Sequence, residues 1–138
     1  MSVFYVMYYH IIWGTKYRQP FITRQLEPVI FYAIQDKSRQ FKAEIHGLNA
    51  VDDHVHVAVT IPPAVAVFEW VREVKGLSAH EVNRAFTDLD TTFKWQGGYS
   101  VLTFGKKVLP FVVNYILNQK QHHQQQTTLD YLEYLEHD

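Results

Sequence analysis

Residues 53–61 read Asp-His-Val-His-Val-Ala-Val-Thr-Ile, and their side chains alternate between apolar and other types. Because side chains i and i+2 share one face of a β-strand, this alternation predicts a strand that turns four apolar side chains to a core: Val55, Val57, Val59 and Ile61. His54 and His56 then point together from the opposite face, about 7 Å apart along the strand. Two imidazoles at this spacing can bind one cation, although histidines on strands are also common as structural residues. A metal site therefore needs further ligands from elsewhere in the chain.

The other hydrophobic patterns place this strand in a βαββαβ order. Strands are indicated by alternating or continuously apolar runs, and helices by apolar residues every three to four positions. The predicted elements are a strand at 3–13, a helix at 23–39, a strand at 41–49, the strand at 53–61, a helix at 64–86 and a strand at 99–104. This order predicts an α+β fold of the ferredoxin-like type, with an antiparallel sheet and both helices on one face. The histidine face then needs a separate cover.

A further helix at 107–121 is the expected cover. One side of it is apolar, and Tyr115 and Gln119 are neighbours, four residues apart, on its polar side. Glutamines at 124–126 indicate a hinge, and a short acidic helix is expected over 127–138. The predicted organisation is one domain, 1–126, followed by that helix.

The composition describes a globular chain. It has 138 residues, enough for one domain, of which 47% are hydrophobic and 20% are charged. The chain has no cysteine, which excludes disulfides and thiolate chemistry. The first residues form neither a secretion signal nor a membrane span, so we expect a soluble, cytoplasmic protein. The net charge is −1, but residues 127–138 contain four acidic residues and no lysine or arginine, so the remainder has a basic excess.

These residue types suit phosphodiester chemistry. Two imidazoles and a nearby amide oxygen form a neutral site with open positions, which suits Mg²⁺ or Mn²⁺ when a phosphate supplies the remaining oxygens. Tyr115 is the nucleophile that the spacing favours, and its attack on a metal-polarised phosphodiester would give a phosphotyrosine. Since that bond conserves the energy of the broken one, rejoining needs no nucleotide cofactor.

Several motifs resemble those of a known family. Asp53-His54-Val55-His56 resembles the His-hydrophobe-His (HUH) motif, and Tyr115-Ile116-Leu117-Asn118-Gln119 resembles the Tyr-Ile-x-x-Gln segment. Both are typical of the single-tyrosine HUH transposases of small insertion sequences (IS200/IS605 type), which include the REP-associated tyrosine transposases. Further matches, in the same order, bring the resemblance to residues 9–123: Tyr9-His10-Ile11-Ile12-Trp13, Lys16-Tyr17-Arg18-Gln19-Pro20, Val74-Lys75-Gly76-Leu77-Ser78 and Trp95-Gln96-Gly97-Gly98-Tyr99.

The resemblance implies a complete catalytic scheme. It implies His54, His56 and Gln119 as ligands of a divalent metal and Tyr115 as the nucleophile. The implied substrate is single-stranded DNA folded into hairpins at the ends of a mobile element, cut through a 5′-phosphotyrosine intermediate that leaves a free 3′-OH. The implied protein is a homodimer with joined sheets, in which Tyr115 serves the histidines of its own chain or of the partner. The chain departs from the family pattern at Val51-Asp52, where Met-Pro is common, and in its lower positive charge.

Four residues are expected to contact DNA: Lys16, Tyr17, Arg18 and Lys75. The alternative for each is an ordinary solvated or structural role. His10 lies on a strand expected to be buried, so a hydrogen-bonded core histidine is favoured there over a metal ligand. His122 and His123 follow the tyrosine helix and could touch phosphate, but solvated histidines are common at helix ends.

Two other functions remain open from the sequence. The first is a DNA-hairpin-binding protein that has lost catalysis, against which the presence of His54, His56, Tyr115 and Gln119 argues. The second is a metal-dependent phosphohydrolase that uses water, for which only Asp53 offers a general-base carboxylate.

Overall fold

The computed structural model describes residues 2–136. Within these residues, four strands and four α-helices follow one another in this order: β1 (Tyr8–Gly14), α1 (Glu27–Gln40), β2 (Glu44–Ala50), β3 (His54–Thr60), α2 (Val67–Ala85), β4 (Ser100–Phe104), α3 (Leu109–Leu117) and α4 (Gln119–Gln125). The strands form one antiparallel sheet in the order β2-β3-β1-β4. This is the predicted ferredoxin-like arrangement, and the predicted α+β class is confirmed.

The two central strands carry the most hydrophobic sequence. β3 pairs with both β2 and β1, and six of its seven residues are buried. β1 begins at Tyr8, five residues later than the apolar run predicts. Its pairing with β3 and β4 begins at Tyr9 and Tyr8, and the side chains before that point have no strand beside them, so Phe4 is 91% exposed.

The sheet has a different partner on each face. The valines of β3 pack with α1 and α2 in the main core, which includes Trp13 and Trp70. On the other face Ala58 packs against Val112 and Ile116 of α3. The helix therefore covers the histidine face, as the sequence predicts.

The predicted single helix at 107–121 is interrupted at Asn118, whose φ and ψ are −101° and 21°. The Asn118 side chain donates to the Asn114 carbonyl at 2.9 Å, and the Leu117 carbonyl accepts from the Asn49 side chain at 3.0 Å. Asparagine side chains compete for backbone groups in this way and favour helix ends. Asn118 therefore divides the predicted helix into α3 and α4.

The acidic helix expected over 127–138 is not formed within the described part of that range, residues 127–136. Gln126 takes a left-handed conformation that ends α4, and the following segment contains one 3-10 turn, Asp130–Leu132. An isolated helix of this length is marginal, and here the segment bonds to the rest of the fold instead: Ser100 donates to the Tyr134 carbonyl at 2.5 Å. We call residues 127–136 the C-terminal segment; residues 137 and 138 lie outside the described residues. None of the described helices is long and apolar enough to cross a membrane.

Candidate active site

The histidine face of β3 is the floor of a buried polar cluster. His54 and His56 have ring centroids 5.0 Å apart and are 2% and 0% exposed. The Tyr115 ring of α3 lies 6.2 Å from His56, and His123 of α4 lies 5.0 Å from His54. The two histidines and the tyrosine that the sequence singles out are thus close together within one chain.

A carboxylate from the C-terminal segment occupies the centre of this cluster. Glu133 Oε1 accepts hydrogen bonds from the Nε2 atoms of three histidines, at 3.2, 3.1 and 3.1 Å: His54, His56 and His123. Its second oxygen accepts one from the Gln119 amide at 3.0 Å and one from the Tyr115 hydroxyl. One side chain therefore contacts every residue for which the resemblance implies a catalytic or metal role.

The Nδ1 atoms of His54 and His56, which face away from Glu133, have different hydrogen-bond partners. His54 Nδ1 donates to Asp53 at 2.6 Å, and Arg18 binds the same Asp53 oxygen at 3.3 Å. His56 Nδ1 instead lies 2.8 Å from Nε2 of a third buried histidine, His10 on β1. A hydrogen-bonded second nitrogen fixes the orientation of an imidazole and determines which nitrogen can bind a metal.

These contacts set the charges of the cluster. Burial alone would lower the pKa of His54, but the hydrogen bonds to Asp53 and Glu133 outweigh it and raise the pKa above the usual value. Burial lowers the pKa of His56 to about 4, so this ring is neutral at pH 7. Burial opposes the ionisation of Glu133, yet hydrogen bonds from His54 and His56 hold its pKa well below the ordinary range. The carboxylates of Asp53 and Glu133 therefore favour the protonated form of His54, whereas His56 stays neutral.

The phenol in this environment is a weak nucleophile. Burial, and then the hydrogen bond to Glu133, raise the pKa of Tyr115 to about 12. The Leu129 backbone N–H also donates to the Tyr115 oxygen at 3.0 Å, and the side chain is 3% exposed. The C-terminal segment thus holds the hydroxyl from two sides.

The donor set fits a divalent cation. His54, His56, His123 and Glu133 each offer one ligand atom, and these atoms all lie within 4.8 Å of one another. Gln119, which the resemblance implies as a ligand, is also buried in this cluster, where its Oε1 accepts from His123 at 3.0 Å. Imidazole nitrogens and a carboxylate are ordinary ligands of divalent metals.

The four predicted DNA contacts lie in different surroundings. Arg18 reaches Asp53 beside the cluster. Lys16 and Tyr17 line a surface cavity of about 580 Å³, with the ammonium 5.2 Å from the tyrosine ring. The Lys75 ammonium donates to the carbonyls of Gln96 and Gly98 at 2.6 and 3.1 Å, so it ties α2 to the segment before β4.

The sequence patterns alone indicate no metal-binding role for His123, Glu133 or His10. The only local signal for His123 is that it lies four residues after Gln119, one helical turn further along. Glu133 has no such signal, because it is one of several acidic residues in a segment expected to be a helix. The sequence predicts His10 as a core residue. Its contact with His56 cannot be read from the sequence, because it depends on the register between β1 and β3.

The sequence resembles transposases over most of its length. A family model described as IS200-like transposase matches residues 3–119. The chain is 26% identical over 119 residues to the ISDra2 transposase TnpA of Deinococcus radiodurans, a match that covers 83% of this chain and 85% of that protein. It is also 26% identical over 115 residues to the transposase of the insertion sequence element IS200 of Salmonella typhimurium, covering 80% and 75%.

Two solved transposase structures are also similar to this chain. A crystal structure of a Deinococcus radiodurans R1 protein assigned as a transposase superposes with a TM-score of 0.70 at 28% identity, covering 86% of this chain and 95% of that one. A REP-associated tyrosine transposase bound to a REP hairpin superposes with a TM-score of 0.65 at 19% identity, covering 89% and 74%. The second likeness concerns the fold alone.

Proposed function

Because the chain belongs to the IS200-like transposase family, we propose that it cuts and rejoins single-stranded DNA at the hairpin-bearing ends of a mobile element. One observation carries this proposal: the hydroxyl of Tyr115 and the Nε2 atoms of His54 and His56 converge on the same carboxylate. The proposed nucleophile and the proposed pair of metal ligands are therefore separated by the width of one carboxylate. The relative bound to a REP hairpin supports a DNA hairpin as the substrate.

In the proposed reaction the Tyr115 oxygen attacks a phosphorus of the DNA backbone. The bond from phosphorus to the 3′ oxygen breaks as the new bond forms, and the 3′ oxygen gains a proton while the phenol loses one. The products are a 5′-phosphotyrosine and a free 3′-OH. Attack by another 3′-OH on the phosphotyrosine reverses these steps and joins two strands without a nucleotide cofactor.

The proposed metal ligands are His54, His56 and Gln119, the set that the resemblance implies. His123 and Glu133 offer further ligand atoms beside them. When bound, a divalent cation neutralises the charge that develops on the non-bridging phosphate oxygens. Since three imidazoles are available, a transition metal such as Mn²⁺ is favoured over Mg²⁺, which prefers oxygen ligands. Asp53 holds the His54 ring so that Nε2 faces the cluster.

The proposed active form is a homodimer, as the family resemblance implies. Exposed apolar side chains support this proposal at two separate places: Val101 on the edge strand β4, and Phe111 and Leu117 on α3. Light scattering coupled to gel filtration should give twice the mass of one chain. In the proposed dimer Tyr115 can serve the histidines of its own chain, since the single chain already brings them together.

The test of the proposed function uses single-stranded oligonucleotides that cover the palindromes in the DNA flanking the gene. Each is labelled with one dye at the 5′ end and another at the 3′ end, and incubated with the protein and Mn²⁺ or Mg²⁺. A 5′-phosphotyrosine places the 3′ label on the protein in a denaturing gel and releases the 5′ label as a shorter strand. Tyr115→Phe should abolish the adduct, whereas Tyr131→Phe, at an exposed tyrosine of the C-terminal segment, should not.

Other outcomes favour the two alternatives. Hairpin binding without any adduct would indicate a binding protein that does not cut. Cleavage that survives Tyr115→Phe would indicate a hydrolase that uses water.

A further inference from the structure

We propose that His10 is a positioning residue that orients the metal ligand His56 through a reversible hydrogen bond between the two rings. This inference rests on the proposed metal role of His56. It assigns a function to a histidine that contacts neither the carboxylate of Glu133 nor the nucleophile in the described structure.

The two rings are placed by the sheet. His10 on β1 pairs with Ala58 on β3, and His56 pairs with Ile12, so the histidines are diagonal neighbours on one face. His10 Nε2 lies 2.8 Å from His56 Nδ1, the rings are 5.0 Å apart, and both residues are fully buried. The opposite nitrogen of His56, Nε2, faces the cluster. His10 therefore contacts Nδ1 of His56 in the same way that Asp53 contacts Nδ1 of His54.

An imidazole backed by another imidazole can change the direction of its hydrogen bond. In the described structure His56 Nε2 donates to Glu133, so its Nδ1 accepts from His10 Nε2–H. A metal on His56 Nε2 requires the proton on Nδ1, which then donates to His10 Nε2. Since one nitrogen of a neutral imidazole is a donor and the other an acceptor, His10 accommodates both states by moving its own proton to Nδ1.

The second nitrogen of His10 supports this assignment. His10 Nδ1 is buried and has no hydrogen-bond partner within residues 2–136. Buried polar atoms are normally satisfied, and an apolar side chain would fill the same space without leaving one unpaired. Packing alone therefore does not account for a histidine here, whereas a requirement for its Nε2 does.

The test compares two substitutions in the full chain by calorimetric titration with Mn²⁺. His10→Phe removes the acceptor and should weaken Mn²⁺ binding by about 10- to 100-fold, the usual effect of losing such a partner. His10→Gln offers an amide oxygen near the position of Nε2 and should recover most of the affinity. His46→Phe is the matched control, because His46 is a strand histidine that bonds to Thr60 outside the cluster.

A spectroscopic signature separates positioning from packing. In long-range ¹H–¹⁵N spectra, loading with diamagnetic Zn²⁺ should move the His10 proton from Nε2 to Nδ1, although His10 is not itself a ligand. An unchanged His10 tautomer, or equal losses of affinity in His10→Phe and His10→Gln, would overturn the inference. Wild-type protein that binds no Mn²⁺ would contradict the proposed metal role as well, whereas normal binding by His10→Phe would contradict only the role of His10.

Discussion

The Tyr115 hydroxyl donates a hydrogen bond to the Glu133 carboxylate, a group that follows it by 18 residues in the chain. The Leu129 backbone N–H donates to the same oxygen, and the tyrosine is 3% exposed. In the proposed reaction a DNA strand can therefore reach this oxygen only after the C-terminal segment has moved. The raised pKa of Tyr115, about 12, keeps the phenol protonated until then. In the described arrangement the C-terminal segment closes the proposed site.

Glu133→Gln should accelerate formation of the covalent DNA adduct. The amide has only one acceptor oxygen and no charge, so it cannot accept all of the hydrogen bonds that the histidines and Tyr115 donate to the carboxylate. The C-terminal segment should therefore be held less tightly against the cluster. Hydrogen bonds to a charged group contribute about 1.5–3 kcal/mol, so the loss of one such bond should increase the open population by about tenfold or more. The measurement is the initial rate at which the 3′-labelled strand becomes attached to protein.

Glu136→Gln is the matched control for that substitution. It removes the same charge from the same segment at an exposed position outside the cluster, and the adduct should form at the wild-type rate. A different result is expected if Glu133 stays in place during catalysis as a metal ligand. Glu133→Gln would then slow adduct formation and weaken Mn²⁺ binding together.

The buried pair His10 and His56 should make the metal-free protein sensitive to acid. Burial, more than any other effect, lowers the pKa of His10 to about 3 and that of His56 to about 4. Both rings bind protons more readily in the unfolded chain, so their contribution to stability is complete above pH 6.5 and is lost as the pH falls towards those values. Each can reduce the free energy of unfolding by up to about 1.4 kcal/mol per pH unit. His54, with its raised pKa, acts in the opposite sense: its contribution is complete below pH 6.5 and is lost at higher pH.

Urea unfolding with a metal chelator, from pH 7.5 down to pH 5, measures this dependence. His10→Gln removes one of the two titrating groups, so its stability should fall less steeply with decreasing pH. An equally steep fall in wild type and His10→Gln would show that the His10 ring does not remain neutral in the folded protein.

The parts of the site that the sequence predicts are those encoded by local periodicity. The alternation around His54 and His56 sets which way both rings point, and the four-residue step from Tyr115 to Gln119 sets one helix face. The cover over the histidines follows because an apolar helix face must pack on some surface, and α1 and α2 already occupy the other side of the sheet.

The features of the site that the sequence does not predict depend on contacts between residues that are distant in the chain. Glu133 is separated from His56 by 77 positions, and its carboxylate reaches the cluster only because α4 ends at Gln126 and the chain turns back. The acidic pattern of this segment is compatible with a helix, and the contacts that override it come from Ser100 and Tyr115. The contacts of Lys75 are unpredictable for the same reason, because no sequence spacing indicates that its ammonium donates to two backbone carbonyls.

Gly76 and Gly14 should respond to alanine in opposite ways. A Cβ built at Gly76, on the exposed side of α2, meets nothing within 4 Å, so Gly76→Ala should raise the free energy of unfolding by about 1 kcal/mol through helix propensity. A Cβ at Gly14 would lie 2.5 Å from Gln96 Oε1 and 2.7 Å from Arg18 Cδ. Gly14→Ala should therefore destabilise the protein by about 1–3 kcal/mol. Urea unfolding measures both, and a destabilising Gly76→Ala would contradict the open environment of that glycine.

Tyr17 and Lys75 offer a direct comparison between DNA contact and structural support. Tyr17 is 74% exposed beside the cavity that Lys16 lines, where a flipped base can stack on its ring. Tyr17→Ala should weaken binding of a labelled hairpin oligonucleotide by about 1–3 kcal/mol and leave the unfolding midpoint unchanged.

Lys75→Met should show the reverse pattern. It keeps the length of the side chain but removes the donor to the carbonyls of Gln96 and Gly98, so we expect a loss of about 1–3 kcal/mol in stability. Hairpin affinity, measured by fluorescence anisotropy at a temperature where both variants are folded, should change little, and so should its dependence on salt. If Lys75 contacts a phosphate, Lys75→Met should instead reduce the number of counterions released on DNA binding by about one, measured from the slope of log affinity against log salt concentration. That result would support Lys75 as one of the DNA contacts predicted from the sequence.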